Sequence, residues 1–370
     1  MLSVCTIIKN ESERLPTYLN SIANYADEII LVDNGSTDGS VEIAEAFGCN
    51  VIHNSDSQFD LGRNLYIESA TEEWVLTLDA DEMILGEDFA KLKLLLMSSE
   101  QQNKSGYFMP GYQYFGSGKW ATFYLLRLFR NKKNHKYGKD IHGSVGSSIV
   151  SAGGVLGFMS IPMHHFDALY SDERNFSKRE RNVHLLAGKM DANSQSFLSL
   201  EYTAINEVDK AIRTLENAIK LDQKKSSPAF LFLAQVMNIC GRYDEALGYA
   251  KKQIDICNEK ITEGDAKSTM YQCMIDSCNI AIADAYHMMG MDEQACRVIL
   301  GQIETNPQLA HNYINLYLLS PETNFVYLDK AMQINRLLTD PRIYKKVTGP
   351  NIYRQQSSII MGKEFDFSKA

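Results

Sequence analysis

The sequence has no excess of basic residues. Its 370 residues include 37 Lys and Arg against 46 Asp and Glu, which gives a formal net charge of −9 at pH 7. Domains that bind nucleic acid usually present a basic face to the phosphate backbone. The charge balance therefore argues against a nucleic-acid partner.

Long apolar runs are also missing. No stretch approaches the roughly 18 consecutive apolar residues that a transmembrane helix needs. The N-terminus lacks a basic segment followed by a long apolar one, so no signal peptide is expected. The seven Cys residues are an odd number and lie mostly within apolar patterns, which fits a reducing compartment. We therefore expect a cytoplasmic protein without a transmembrane segment.

Two nucleotide-binding signatures are absent. No G-x-G-x-x-G follows the first apolar run, which argues against a nicotinamide oxidoreductase. The stretch GSGK at 116–119 lacks the spacing of a phosphate-binding loop, because Gln113 stands where a glycine is needed and Trp120 follows the lysine. A flexible loop is the better interpretation, and its aromatic neighbours could line a sugar site or pack in a core.

The most informative feature that is present is Asp79-Ala80-Asp81, which ends an apolar run at 74–78 and precedes Glu82. This pattern predicts a buried strand that delivers acid groups to the edge of a sheet. One carboxylate could hold a ribose hydroxyl and the other a divalent cation bridging nucleotide phosphates. A D-x-D tripeptide alone is a weak signal, and a solvated loop is the alternative.

The preceding sequence alternates between strand and helix patterns. Strands are predicted at 2–8, 28–32, 51–53 and 74–78, separated by helical patterns. This alternation is typical of a parallel sheet, which binds ligands outside the carboxyl ends of its strands. Asn10, Asp33 and Asp79 all fall at such ends, so we expect them to lie along one edge.

Four motifs resemble family 2 glycosyltransferases with the GT-A fold: KNE at 9–11, VDNGSTD at 32–38, GRN at 62–64 and LDADE at 78–82. FRNKK at 129–133 and Ile141-His142 are similar to a bacterial subgroup whose catalytic domain precedes tetratricopeptide-like helices. Bacteriocin glycosyltransferases of the sublancin type, which glycosylate peptide side chains, lie near this subgroup. The family usually has Glu after the histidine, and this chain has Gly143.

The resemblance implies a UDP-sugar donor, UDP-glucose or UDP-N-acetylglucosamine, and residues that bind its nucleotide: Lys9, Asn10, Glu11, Asp33, Arg63 and Asp79. Asp33 would accept a hydrogen bond from the uracil ring N–H, and a helix-capping Asp is the alternative. Arg63, a permanently charged fork, suits phosphate or base contacts, while an exposed helix Arg is the competing interpretation.

The resemblance also implies a metal held by Asp81 and His142. This mixed oxygen and nitrogen shell favours Mn²⁺, with Mg²⁺ possible. The adjacent His164 and His165 cannot both turn inward from an extended chain, and the sequence does not choose between them. The implied reaction is an inverting displacement at the anomeric carbon. Glu82 and Asp140 are the nearby candidates for the general base, and the sequence does not identify it.

The second half of the chain reads as nearly all helix. Segments 207–212, 241–247 and 290–295 resemble one another; Ala211 and Ala246 lie 35 residues apart, and Ala295 follows after 49. The first spacing is close to the tetratricopeptide period, and the second needs an insertion near 259–268. An irregular helical domain is the alternative. The predicted organisation is a GT-A domain at 1–168, a linking helix at 169–192, a tetratricopeptide-like domain at 193–340 and a tail at 341–370.

Three functions stay open at this point. The first is transfer of a sugar from a UDP-sugar to a Ser, Thr or Cys side chain of a peptide or protein, which the helical array favours because such arrays offer a concave face. The second is transfer to a cell-surface glycan or lipid-linked sugar. The third is a non-catalytic scaffold with a degenerate nucleotide domain. We also expect a homodimer through the helical domain.

Overall fold

A computed structural model describes residues 1–54, 59–98, 103–114, 120–138, 144–166, 172–223, 227–265, 267–319 and 325–339. The described residues fall into two compact units. The first lies within Met1–Tyr112 and Tyr124–Phe166, and the second comprises Gln113–Phe123 and the chain from Asp167 onward. The four-part division predicted from the sequence stays a prediction.

Nine strands among the described residues form one sheet. Their bounds are β1 (Leu2–Ile8), β2 (Glu28–Asp33), β3 (Asn50–His53), β4 (Trp74–Thr77), β5 (Glu82–Met83), β6 (Gly106–Tyr114), β7 (Trp120–Arg130), β8 (Leu156–Phe158) and β9 (Met163–His165). The helices between them are α1 (Leu15–Ile22), α2 (Ser40–Ala46), α3 (Phe59–Ser69), α4 (Gly86–Met97) and α5 (Gly146–Ser151). The α/β class and the four strands predicted before residue 80 are confirmed.

The first part of the sheet is parallel, in the order β3-β2-β1-β4. The register sets Ile8 of β1 opposite Asp33 of β2, and Asp33 opposite His53 of β3. β4 stops earlier, at Thr77 opposite Cys5. The carboxyl ends of β1, β2 and β3 are therefore level, and the turn after β4 begins below them.

The remaining strands add antiparallel pairs, so the sheet as a whole is mixed. β7 runs antiparallel to β4, with Leu128 opposite Leu76, and β5 runs antiparallel to β9, with Glu82 opposite His165. The order continues through β7-β6-β9-β5, and β8 pairs in parallel with β6. The parallel pattern expected from the sequence therefore describes the first four strands, and antiparallel pairing brings later parts of the chain to the turn after β4. Large buried rings fill the core: Trp74, Phe89, Tyr107, Tyr112 and Phe129.

The second unit is helical. Its helices are α6 (Asp172–Leu186), α7 (Ala192–Ala204), α8 (Val208–Leu221), α9 (Ala229–Ile239), α10 (Tyr243–Thr262), α11 (Ser268–Met288), α12 (Asp292–Thr305), α13 (Ala310–Leu319) and α14 (Phe325–Ile334), followed by a 3-10 helix (Arg336–Thr339). Neighbours along the chain pack against each other from α6 to α14. None of the helices within the described ranges combines the length and apolarity needed to cross a membrane.

The repeat pattern explains how these helices pack. Ala211, Ala246 and Ala295 are all fully or almost fully buried, as expected for small residues where two helices approach closely. α10 and α11 have 20 and 21 residues, whereas α8 and α9 have 14 and 11. The insertion predicted near 259–268 is thus accommodated by two lengthened helices.

A pair of substitutions on α10 tests this packing. Ala246 lies in a cluster with Leu215, Leu233 and Val236, so Ala246→Leu should overpack it and lower the free energy of unfolding by about 1–3 kcal/mol. Gly248 is exposed on the same helix, and a Cβ added there meets no atom within 4 Å. Gly248→Ala should therefore stabilise by up to about 1 kcal/mol. Urea unfolding of both variants checks the signs, and equal effects would contradict this packing.

Candidate active site

The loop after β1 is tied to the loop after β2 through Asn10. The backbone N–H of Asn10 donates to Ser36 Oγ at 2.9 Å, and its side-chain oxygen accepts from the Thr37 N–H at 2.8 Å. Asn10 has a φ of +55°, a left-handed conformation that Asn tolerates better than most residues. Lys9, beside it, is exposed. Asn10 therefore fixes the conformation of the two loops beside which the sequence predicts the base of a nucleotide.

Asp33 closes the turn that follows β2. Its Oδ1 accepts from the Ser36 N–H at 3.0 Å and its Oδ2 from the Gly35 N–H at 3.2 Å. His53 Nδ1 lies 3.6 Å from Oδ2. Helix α2 begins only at Ser40, so Asp33 does not cap that helix. Each carboxylate oxygen accepts more than one hydrogen bond, so the Asp33 side chain, which is 5% exposed, retains the capacity to accept another.

The turn after β4 is closed by its own carboxylates. The Asp79 N–H donates to Glu82 Oε2 at 2.8 Å, and the Glu82 N–H donates to the Asp79 carbonyl at 2.9 Å. Arg127 Nη2, on β7, donates to Asp79 Oδ2 at 2.8 Å and to Glu82 Oε1 at 2.5 Å. The Asp79 side chain is 43% exposed, whereas that of Glu82 is 1% exposed. The Asp79 side chain can thus contact a ligand, while the buried Glu82 side chain stabilises the turn through its hydrogen bonds.

Electrostatics separate these two carboxylates. Partial burial would raise the pKa of Asp79, but the charges of Arg127 and Arg63 lower it well below its ordinary value. Burial raises the pKa of Glu82, against the opposing charge of Arg127. Asp79 is therefore held as an anion at neutral pH.

Asp81 lies between two cationic or potentially cationic groups. Its Oδ1 is 3.5 Å from His165 Nε2, and its Oδ2 is 4.0 Å from Arg14 Nη1. Arg14 also lies 3.3 Å from Glu11 Oε2, which links the loop after β1 to the turn after β4. The Asp81 carbonyl accepts from the Phe166 N–H at 3.0 Å. These contacts hold a 13% exposed carboxylate at the same sheet edge as Asp79.

The structure distinguishes the two adjacent histidines. His165 faces Asp81, whereas His164 is fully buried with its ring 5.8 Å from that of Tyr112. Burial lowers the pKa of His164 to about 3, so its ring is neutral at physiological pH. Of the pair, His165 is the one available to the candidate site.

Arg63 and Asn64 on α3 both engage Tyr137. The Arg63 guanidinium carbon is 5.2 Å from the centroid of the Tyr137 ring. Asn64 Oδ1 accepts from the Tyr137 N–H at 2.8 Å, and its Nδ2 donates to the Tyr137 carbonyl at 3.2 Å. Burial would lower the pKa of Arg63, but Tyr66 and Asp79 raise it. The guanidinium is thus a fixed charge acting on the Asp79 carboxylate.

The predicted site residues therefore fall into two groups. Those brought to the ends of β1, β2 and β4 or onto α3 are Lys9, Asn10, Glu11, Asp33, Arg63, Asp79 and Asp81, with the buried Glu82 beside them. Asp140, His142 and Gly143 lie outside the described residues, as does the GSGK loop at 116–119. Within the described residues, no three His, Cys, Asp or Glu side chains are grouped to hold a metal.

Three residues at this edge were not assigned from the sequence. Arg14 and Arg127 carry no motif of their own, and only the register of β7 against β4 brings Arg127 to a turn 48 positions earlier. The signal for His165 was present in the pair at 164–165, but choosing between them required the pairing of β5 with β9.

Comparison with known proteins places this site in a family. Residues 3–151 match the family described as Glycosyl transferase family 2. A TPR repeat-containing protein of Synechococcus elongatus is 32% identical over 151 residues, which are 40% of this chain and 36% of that protein. The SPbeta prophage-derived glycosyltransferase SunS of Bacillus subtilis is 24% identical over 245 residues, which are 63% of this chain and 56% of SunS.

Among solved structures, that of S. aureus TarS is 15% identical with a TM-score of 0.39, covering 60% of this chain and 49% of that one. The chain spans about a third of the length of the Synechococcus protein and somewhat more than half of SunS. The family match includes all the described site residues except His165. Residues 3–151 of this chain thus match a glycosyltransferase family 2 domain, and a helical array follows them in the sequence.

Proposed function

We propose that the chain is a metal-dependent, inverting glycosyltransferase that uses a UDP-sugar. The observation that carries this proposal is the arrangement of Asp33, Asp79 and Asp81 at the ends of parallel strands. Open α/β sheets bind ligands outside those ends. Asp33 offers an acceptor beside one strand end, and Asp79 and Asp81 offer carboxylates beside another.

In this proposal the nucleotide lies along the edge from Asp33 to Asp79. Asp33 accepts the uracil ring N–H, for which only an acceptor is suitable. The exposed part of Asp79 accepts from a ribose hydroxyl. Arg63, which acts electrostatically on Asp79, supplies fixed positive charge toward the diphosphate. Glu11 supports this edge through Arg14.

The donor set around Asp81 fits a divalent cation. Asp81 Oδ1 and His165 Nε2 are 3.5 Å apart, a spacing from which an oxygen and a nitrogen could share one ion after a small adjustment. Mixed carboxylate and imidazole ligation is compatible with Mn²⁺, with Mg²⁺ as the alternative. His142 remains a further ligand implied by the family resemblance. When bound, such an ion would stabilise negative charge on the departing diphosphate.

The protein's own groups prepare that chemistry. Arg14 lies 4.0 Å from one Asp81 oxygen, and His165 lies 3.5 Å from the other. The Glu82–Asp79 hydrogen bonds fix the turn that contains Asp81. Glu82 is only 1% exposed, with one oxygen held by a backbone N–H and the other by Arg127. A general base must reach the acceptor proton, so this geometry favours a supporting role for Glu82 and leaves Asp140 as the candidate base predicted from the sequence.

For the acceptor we propose a peptide or protein side chain, Ser, Thr or Cys. The support is the similarity of residues 129–133 and 141–142 to a bacterial subgroup near which the peptide-glycosylating enzymes of the sublancin type lie. The helical array adds to it, because stacked helical pairs form extended surfaces for partners. Homodimerisation through the same helices is a second proposal, measurable by light scattering.

The proposed function is tested by nucleotide release from purified protein. UDP-glucose, UDP-N-acetylglucosamine and a GDP-sugar are each incubated with Mn²⁺, with Mg²⁺ or with a chelator. Release of UDP with Mn²⁺, and little release of GDP, is expected. Ser-, Thr- and Cys-containing peptides and a glycan acceptor are then added in parallel, and mass spectrometry identifies the product. Metal-independent release, or absence of any UDP release and transfer, would contradict the proposal.

A further inference from the structure

Arg127 is a buried cation that connects two carboxylates of different exposure. Its side chain is 9% exposed, and one nitrogen, Nη2, serves both Asp79 Oδ2 and Glu82 Oε1. The Glu82 end of this bridge is buried, whereas the Asp79 end reaches the surface. The bridge therefore runs from the core to a carboxylate available for ligand binding.

The contact constrains Asp79 in a way that backbone structure alone does not. The backbone bonds of the 79–82 turn fix where the Asp79 main chain lies, but its exposed side chain could still rotate. A charge-assisted bond to a rigid guanidinium removes that freedom. Arg127 is in turn held through Glu82, which the β5–β9 pairing places beside His165.

The hydrogen bonds of the Arg127 guanidinium go to the carboxylates of the 79–82 turn. Among the described residues, its buried Nε has no hydrogen-bond partner. Here the strong bonds all go to the 79–82 turn.

We propose that Arg127 is a positioning residue for the nucleotide: it fixes the Asp79 carboxylate in the orientation that receives a ribose hydroxyl. This inference rests on the proposed function. Arg127 would thus affect nucleotide affinity through Asp79. A structural ion pair elsewhere on β7 would not have this effect.

Arg130 supplies the matched control. It lies three residues along β7, pairs with Glu73, and its guanidinium carbon is 4.4 Å from the centroid of the Trp74 ring. Arg127→Lys and Arg130→Lys each keep the charge but lose the planar fork. With UDP and Mn²⁺, calorimetry of the full chain should show about tenfold or greater weakening for Arg127→Lys and little change for Arg130→Lys.

A double-mutant cycle with Asp79→Ala separates positioning from general stability. If Arg127 acts through Asp79, Arg127→Lys should cause no further loss of UDP affinity in the Asp79→Ala background. A further loss there, including loss of measurable binding, would overturn the inference. So would an unchanged affinity of the single Arg127→Lys variant, or its failure to fold while Arg130→Lys folds. If the wild-type protein binds UDP, any of these three results contradicts only the positioning role of Arg127. If the wild-type protein does not bind UDP, the proposed function fails as well.

Discussion

Replacing Asp81 by alanine should reduce sugar transfer to background and remove the effect of Mn²⁺ on UDP binding. The substitution deletes the carboxylate that lies 3.5 Å from His165 Nε2 and 4.0 Å from Arg14 Nη1. Without it, one anionic ligand for the cation is lost and the nearby Arg14 loses a counter-charge. Transfer assays and calorimetry with and without Mn²⁺ measure the two effects.

The fold should survive this substitution. The Asp81 backbone carbonyl accepts from the Phe166 N–H, a bond that alanine retains, so we expect a loss of at most about 1–2 kcal/mol in the free energy of unfolding. Asp88→Ala is a suitable control, since it removes another largely buried carboxylate, one that pairs with Lys91 at 3.1 Å, and it should leave transfer near the wild-type rate. An Asp81→Ala protein that turns over at the wild-type rate would remove Asp81 from the site.

Replacing Asp33 by asparagine should change which base the protein prefers. Asn retains one side-chain oxygen, which can still accept from the Ser36 N–H, while the Gly35 N–H loses its acceptor, so the turn after β2 should keep one of its two side-chain bonds. It replaces the other oxygen by a donor, which opposes the uracil N–H but can pair with the acceptor nitrogen of cytosine. UDP affinity should fall by about 1–3 kcal/mol, roughly fivefold to 150-fold, while CDP affinity falls less or rises.

Calorimetry of wild type and Asp33→Asn with UDP, CDP and GDP measures this shift. Asp33→Ala serves as the comparison, since it removes both oxygens and should weaken UDP and CDP alike by loosening the turn at Gly35 and Ser36. Tighter binding of GDP than UDP by the wild type, or an Asp33→Asn variant with unchanged UDP affinity, would rule out base recognition by Asp33.

The sequence was sufficient for the parallel part of the site. Asp33 and Asp79 follow apolar runs of strand length, and parallel strands bring such ends to one edge without further information. The outcome depended only on recognising strands and their direction. The same reasoning anticipated Asn10, although not that its amide would tie together the two loops beside β1 and β2.

What could not be predicted depends on antiparallel pairing and on side-chain contacts. Arg127 meets Asp79 because β7 returns alongside β4 in one particular register, and no local pattern specifies that register. His165 meets Asp81 through the short β5–β9 pair. Glu82 shows the opposite problem: its place beside the acidic motif suggested a base, and only the structure reveals that both of its oxygens are engaged.

The helical half illustrates the same limit. Small residues at regular spacing predicted close helix packing, and Ala246 and Ala295 are buried accordingly. The irregular spacing between them indicated an insertion but not its form. Lengthening α10 and α11 together preserves the contact between consecutive helices, a solution that depends on packing in three dimensions.

The most direct test of the central claim is a crystal structure of the protein with UDP and Mn²⁺, in which anomalous scattering locates the ion. The account predicts the ion bound by the Asp81 carboxylate, the uracil ring beside Asp33 and the ribose within hydrogen-bond distance of Asp79. An ion bound away from Asp81, or a nucleotide bound away from the ends of β1, β2 and β4, would contradict it.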